Sequence, residues 1–300
     1  MSRALLAVLP GNEAFGARLA AELRADIADL EVRSFPDGET YLRWRTSPEG
    51  RQILLLCTLD HPDGKVLPLI FAAASARDLG AASVGLVCPY LGYMRQDRRF
   101  QPGEAVTSAH FAAALSAHCD WLITVDPHLH RHTSLSEIYS IPATAVPAAP
   151  VMAEWIGRNV DRPLLIGPDE ESQQWVGSVA RQLDAPHTVL RKTRRGDRDV
   201  EVTVPDLERW PEHTPVLVDD IVSTGRTMIA TLHHLVRTKR ASPICVAVHG
   251  IFADGAYRDL LEAGASRVAT CNTIPHESNV IDVSAALAHA VAERLEKAPA

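Results

Sequence analysis

The chain has 300 residues, 46% of them hydrophobic, which is enough for two domains of ordinary size, each with its own core. Its formal net charge of −7 argues against nucleic acid or an anionic membrane surface as a general partner. No apolar run reaches membrane-spanning length, the first ten residues are too short for a secretory leader, and the five scattered cysteines lack CxxC spacing. Reduced, buried thiols in a cytoplasmic protein are therefore expected.

Taken in chain order, short apolar runs predict strands at Ala4–Leu9, Gln52–Leu59, Ser83–Pro89, Trp121–Asp126, Pro163–Gly167, Thr188–Arg191, Pro215–Asp219, Ile244–His249 and Arg267–Thr270. Amphipathic stretches between them predict helices at Ala14–Ile27, Val66–Leu79, Ser108–His118, Ser172–Leu183, Thr227–Val236 and Ala256–Ala263. This alternation implies an α/β protein with mainly parallel sheets flanked by helices. The Pro/Ala-rich segment Ile141–Pro150 interrupts the pattern near the midpoint. The expected division is 1–145 and 146–300. The halves read as a degenerate duplication, with Leu122-Ile-Thr-Val-Asp126 as the counterpart of Val216-Leu-Val-Asp-Asp220.

The segment Pro215–Thr227 is the most informative. Four apolar residues run into Asp219 and Asp220, and a loop containing Ser223, Thr224, Gly225 and Thr227 leads into a helix start. Successive backbone N–H groups and hydroxyls in such a loop suit a monophosphate. The two carboxylates suit a vicinal diol, because each accepts hydrogen bonds from sugar hydroxyls. A lone Asp-Asp or Ser-Thr pair would be read as a helix cap. The whole pattern describes a ribose 5-phosphate pocket.

A second segment, Tyr93-Met-Arg-Gln-Asp97, follows a buried strand. Arg95 can stack on a purine or pair with phosphate, and the Gln96 amide can read a base edge. No Gly-x-x-x-x-Gly-Lys-[Ser/Thr] and no post-strand Gly-x-Gly-x-x-Gly occurs, so a nucleotide is not held by those loops. Arg191–Arg198 is a dense cationic run containing Gly196, which suits a mobile lid. His128, His130 and His132 lack a matched zinc partner, and no cysteine lies nearby.

In combination these segments resemble the ribose-phosphate diphosphokinase (phosphoribosyl diphosphate synthetase) family. The match rests on Tyr-x-Arg-Gln-Asp with the downstream Val-Asp-Asp loop, and other segments fall in family order from about Phe35 to Pro275. The resemblance implies two tandem phosphoribosyltransferase-like domains. It implies that Phe35, Asp37 and Glu39 reach the ATP site of a neighbouring subunit, so the chain works as a homo-oligomer, at least a dimer. Arg95, Gln96 and Asp97 would contact ATP. His128 and Asp169 would manage Mg2+, and Lys192 and Arg194 would act from a catalytic loop. Cys271-Asn-Thr-Ile-Pro275 resembles a further family segment. The chain departs from many relatives after Pro168-Asp169, where Glu170-Glu171-Ser172-Gln173 stands instead of small, glycine-containing residues. The implied reaction moves the β,γ-diphosphoryl group of MgATP to the 1-hydroxyl of ribose 5-phosphate. A phosphoribosyltransferase consuming that product and a non-catalytic regulatory partner are the alternatives.

Overall fold

A computed structural model describes residues 4–129, 131–167, 172–195, 199–203, 209–237 and 242–297, without the side chains of residues 174, 191–195 and 199–203. The chain divides into two compact units, Met1–Val146 with Val283–Ala300, and Pro147–Asp282.

The first unit contains β1 (Leu5–Val8), α1 (Glu13–Leu23), β2 (Asp26–Ile27), a hairpin of β3 (Leu30–Ser34) and β4 (Thr40–Trp44), β5 (Gln52–Leu56), α2 (Asp63–Asp78), β6 (Ser83–Cys88), α3 (Thr107–His118), β7 (Trp121–Val125) and β8 (Ala143–Val146). The six-stranded sheet runs β2-β1-β5-β6-β7-β8, parallel throughout. Ile53–Leu56 of β5 are fully buried, as expected for a central parallel strand covered on both faces. At Gly85 in β6 an added Cβ would lie 2.0 Å from the Trp121 ring, so the close approach of the two strands depends on glycine. The helix expected over Ala14–Ile27 stops early. Arg24 takes a left-handed conformation (φ 50°), and Asp26–Ile27 pair with β1.

The second unit contains α4 (Ala149–Asn159), β9 (Pro163–Gly167), α5 (Gln173–Leu183), β10 (His187–Val189), a hairpin of β11 (Arg191–Arg195) and β12 (Asp199–Thr203), β13 (Thr214–Val222), α6 (Arg226–Arg237), β14 (Ile244–Gly250), α7 (Ala256–Glu262), β15 (Arg267–Cys271) and β16 (Asn279–Ile281). Its sheet runs β10-β9-β13-β14-β15-β16, again parallel.

The two units share one plan. The first strand sits inside, the second lies at its outer edge, a two-stranded hairpin follows, and the third strand returns to the other side of the first. On this plan β13 corresponds to β5, and β7 corresponds to β15. That corrects the pairing of Leu122–Asp126 with Val216–Asp220, which equated strands only because both end in an aspartate.

The last helix, α8 (Ser284–Glu296), was expected with the second half. It packs instead on α1, with Leu287, Ala288 and Val291 among its buried residues. In the second unit α4 packs on α5 in the same way. Each helix thus follows the last strand of one unit and completes the other. The Pro/Ala-rich stretch is not a structureless break either: it holds β8 and the start of α4, whose proline lies in the first turn, where a missing N–H costs nothing. Among the described residues no helix is long and apolar enough to cross a membrane.

Candidate active site

In the second unit, β13 runs on to Val222, so Asp219 and Asp220 lie within the strand and not beyond its tip. Both are half-buried. The Asp220 N–H donates to Asp219 Oδ1 at 2.9 Å, and the Ile221 N–H donates to Asp220 Oδ1 at 2.8 Å. Each carboxylate is thereby held against its own backbone. Ser223 and Thr224 form the bend that follows, and Gly225 turns the chain at φ 63°. Helix α6 begins at Arg226, placing Thr227 in its first turn. The amides of Ile251 and Phe252 both donate to the Val222 carbonyl at 3.0 Å, and Ala256 and Leu260 of α7 lie behind Gly225. The loop is backed on two sides.

Beside it sits a ring cluster the sequence did not disclose. Phe252, Tyr257 and His276 have ring centroids 4.5 to 5.4 Å apart. Burial lowers the His276 pKa, and its Nδ1 accepts from the Ser278 N–H at 3.1 Å. In the Cys271–Pro275 segment, the Thr273 hydroxyl donates to the Val248 carbonyl at 3.1 Å and lies 2.8 Å from Nδ1 of buried His249.

Of the cationic lid, Lys192 and Arg194 fall on β11, at register positions opposite Val202 and Val200 of β12, so the backbone there is a regular hairpin strand. Their side chains lie outside the described residues, as do Asp169, Glu170, Glu171, Gly196 and His130.

In the first unit, Arg95, Gln96 and Asp97 lie in the loop between β6 and α3, and His128 in the loop after the neighbouring strand β7. Arg131 Nη1 donates to both Asp97 oxygens, at 3.0 and 3.1 Å, and joins the two loops. The Asp97 side chain is only 5% exposed. Arg95 itself is exposed and Gln96 half-buried, with the Gln96 carbonyl accepting from the Ser108 N–H at 3.3 Å. Tyr93 adopts φ 58°, donates its hydroxyl to Asp63 and packs its ring against Phe111 at 4.8 Å between centroids, so two contacts hold an unfavourable backbone. Below His128, Glu137 accepts from the Thr133 N–H at 3.0 Å and from its hydroxyl, and sits 3.0 Å from His132 Nδ1. These bonds hold the Glu137 carboxyl down at about 2.

Phe35, Asp37 and Glu39 occupy the exposed turn of the β3–β4 hairpin, closed by the Phe35 N–H to Glu39 carbonyl bond at 2.7 Å. Arg33 lies 5.1 Å from the Phe35 ring and 4.0 Å from the Tyr41 ring. Among the described residues no hydrogen bond, ion pair or ring contact joins this turn to Arg95–Asp97 of the same chain. Nor do the described residues contain a group of three side chains able to cage a metal. Arg131 and the Phe252 ring cluster are the parts sequence reasoning missed. The basic residue in the loop after β7 was the available signal for the first.

Residues 5–118 match the N-terminal domain of ribose phosphate pyrophosphokinase, and residues 134–287 match the phosphoribosyl transferase domain. A ribose-phosphate pyrophosphokinase of Methanobrevibacter smithii is 30% identical over 290 residues, covering 93% of this chain and 96% of its own. One from Sulfurisphaera tokodaii is 32% identical over 270 residues, covering 87% and 91%. The crystal structure of phosphoribosylpyrophosphate synthetase from Mycobacterium smegmatis aligns over 99% of this chain and 100% of its own, with a TM-score of 0.85 at 22% identity, a likeness of fold.

Proposed function

The chain belongs to the ribose-phosphate pyrophosphokinase family, and from that premise we propose that it makes 5-phosphoribosyl 1-diphosphate and AMP from ribose 5-phosphate and MgATP. The observation that carries this reading is the agreement of both halves with the family along the chain, and the Asp219–Thr227 loop in one unit and the Arg95–Asp97 loop in the other are consistent with it. Consumption of the diphosphate sugar and a non-catalytic role are not favoured, since the curated relatives are named for the synthetic activity over nearly their whole length.

The 1-hydroxyl oxygen attacks the β-phosphorus. A new P–O bond forms, the bond from that phosphorus to the α,β-bridging oxygen breaks, AMP leaves with the bridging oxygen, and the hydroxyl proton is lost. Catalysis of such a transfer is mainly positioning and neutralisation of charge. Asp219 and Asp220 accept hydrogen bonds from the ribose hydroxyls. Ser223, Thr224, Gly225 and Thr227 cradle the 5-phosphate. Arg95 stacks on the purine and Gln96 reads its edge. Asp97, with both oxygens on Arg131, braces that loop. Lys192 and Arg194 donate to the moving diphosphoryl group.

Magnesium fits this donor set. It prefers oxygen, keeps several waters, and is held by one or two carboxylates together with substrate phosphates, so a three-residue protein cage is not needed. Asp169 would supply the carboxylate and His128 would act beside the phosphates. When bound, the ion supplies charge neutralisation on the phosphoryl oxygens. The exposed Phe35–Glu39 turn supports its use in a neighbour's ATP site, with a dimer as the smallest active assembly. Sedimentation of active protein tests that assembly.

The reaction is tested by AMP formation that depends on both ribose 5-phosphate and MgATP. Absence of activity across a range of magnesium and phosphate concentrations would refute the reading.

A further inference from the structure

Open parallel sheets bind ligands where neighbouring crossovers leave the sheet in opposite directions. In the second unit that point lies between β9 and β13, and Asp219, Asp220 and the phosphate-type loop stand at it. In the first unit it lies between β1 and β5. A cavity of about 300 Å³ opens there, lined by Leu9 and Pro10 after β1, Cys57 after β5, Gly64, Lys65 and Pro68 of α2, and the inner side of the β3–β4 hairpin.

The lining is that of a small polar ligand with an apolar side. Lys65 donates to the Thr58 carbonyl at 3.1 Å and to Asp60, which uses two of its three N–H groups. Pro68 has no N–H to give the Gly64 carbonyl four residues earlier, so that acceptor lacks its helical donor, and both residues line the cavity. Ser34 and Thr40, paired across the hairpin, add two hydroxyls. Leu9, Pro10 and Val32 supply apolar wall. One ammonium, one carbonyl acceptor and two hydroxyls match a small polyhydroxylated anion.

We propose that this cavity is a second sugar-phosphate site, the first unit's counterpart of the ribose 5-phosphate loop. It rests on the reading of Asp219–Thr227 given above, since the ligand class is taken from that equivalence. The hairpin that walls the cavity carries Phe35, Asp37 and Glu39 at its turn. A ligand here therefore fixes the element assigned to a neighbour's nucleotide site.

The test measures ribose 5-phosphate binding to the full chain carrying Asp219→Asn and Asp220→Asn, by isothermal titration. One saturable site per chain is expected to remain. Adding Gly64→Leu, whose new Cβ meets nothing within 4 Å, or Lys65→Gln is expected to weaken that site at least tenfold. No saturable binding in the double variant, or binding indifferent to both added changes, overturns the proposal. AMP formation by the unaltered chain separates the two readings: activity with no second site refutes this inference alone, and a Gly64→Leu-sensitive site without activity refutes the catalytic reading.

Discussion

Arg131 holds Asp97 through one guanidinium nitrogen, 3.0 and 3.1 Å from the two carboxylate oxygens, and so ties the loop after β6 to the loop after β7. The carboxylate is almost wholly buried while the arginine keeps 40% of its surface in water. Arg131→Ala leaves that carboxylate without its partner and is expected to cost about 1 kcal/mol, discounted from a buried pair for solvent screening. The same variant should raise KM for ATP roughly tenfold with a smaller change in kcat, because it loosens a binding loop. Arg131→Lys should recover part of the loss. Urea unfolding and initial-rate assays check both, and an unchanged KM would remove Asp97 from the nucleotide site.

Asp219→Asn and Asp220→Asn each keep an oxygen that accepts the next residue's N–H. The strand should therefore stay folded while recognition of the ribose diol suffers. The expected result is a fall of about 100-fold in kcat/KM for ribose 5-phosphate with unfolding nearly unaltered. A matching loss of stability would mean the two residues serve the fold instead.

Gly225 turns the phosphate-type loop at φ 63°, while an added Cβ would touch Leu260 only at an ordinary 3.6 Å. Backbone strain, and not crowding, sets the effect of substitution. Gly225→Ala should destabilise by about 1–2 kcal/mol, and Gly225→Asn by less because asparagine tolerates this region. Comparing the two midpoints in denaturant separates strain from steric clash.

All five cysteines are buried. Burial pushes the thiols of Cys57, Cys119 and Cys245 up to about 12 from an ordinary value of 9.0. A pKa raised by folding leaves stability intact below 9 and erodes it as pH climbs from there toward 12. Native protein at pH 8 should react slowly with a thiol reagent, and all five groups should react once urea unfolds it. Rapid native labelling at Cys57 would mean that the cavity it lines opens widely.

A chain cut after Asp282 loses α8 and uncovers the side of α1 on which it packs. It should aggregate or unfold at much lower urea than the whole chain. Joining α8 ahead of residue 1 through a flexible linker should restore cooperative unfolding. An unchanged midpoint in the cut chain would show that α8 is dispensable.

The sheet cores were legible in sequence because buried parallel strands such as Ile53–Leu56 are continuous apolar runs. The β3–β4 hairpin was not, since Arg33, Glu31 and Arg43 alternate with only partly buried residues and imitate a solvated loop. Helix α4 was masked by its opening proline and alanines, and the place of α8 could not be read because its packing on α1 joins segments far apart in the chain. The loop of Asp219–Thr227 could be read because its residue types carry its chemistry. The Arg131–Asp97 tie could not, because it joins residues 34 positions apart through a fold that sequence alone does not supply.

The traded helices α4 and α8 also set an order of events in synthesis. The first strand and helix leave the ribosome early, yet the helix that packs on α1 is made only after the last strand of the second unit, so the first core closes only when the second sheet has been synthesised. The same trade binds the two units together: neither can be shed without uncovering the other.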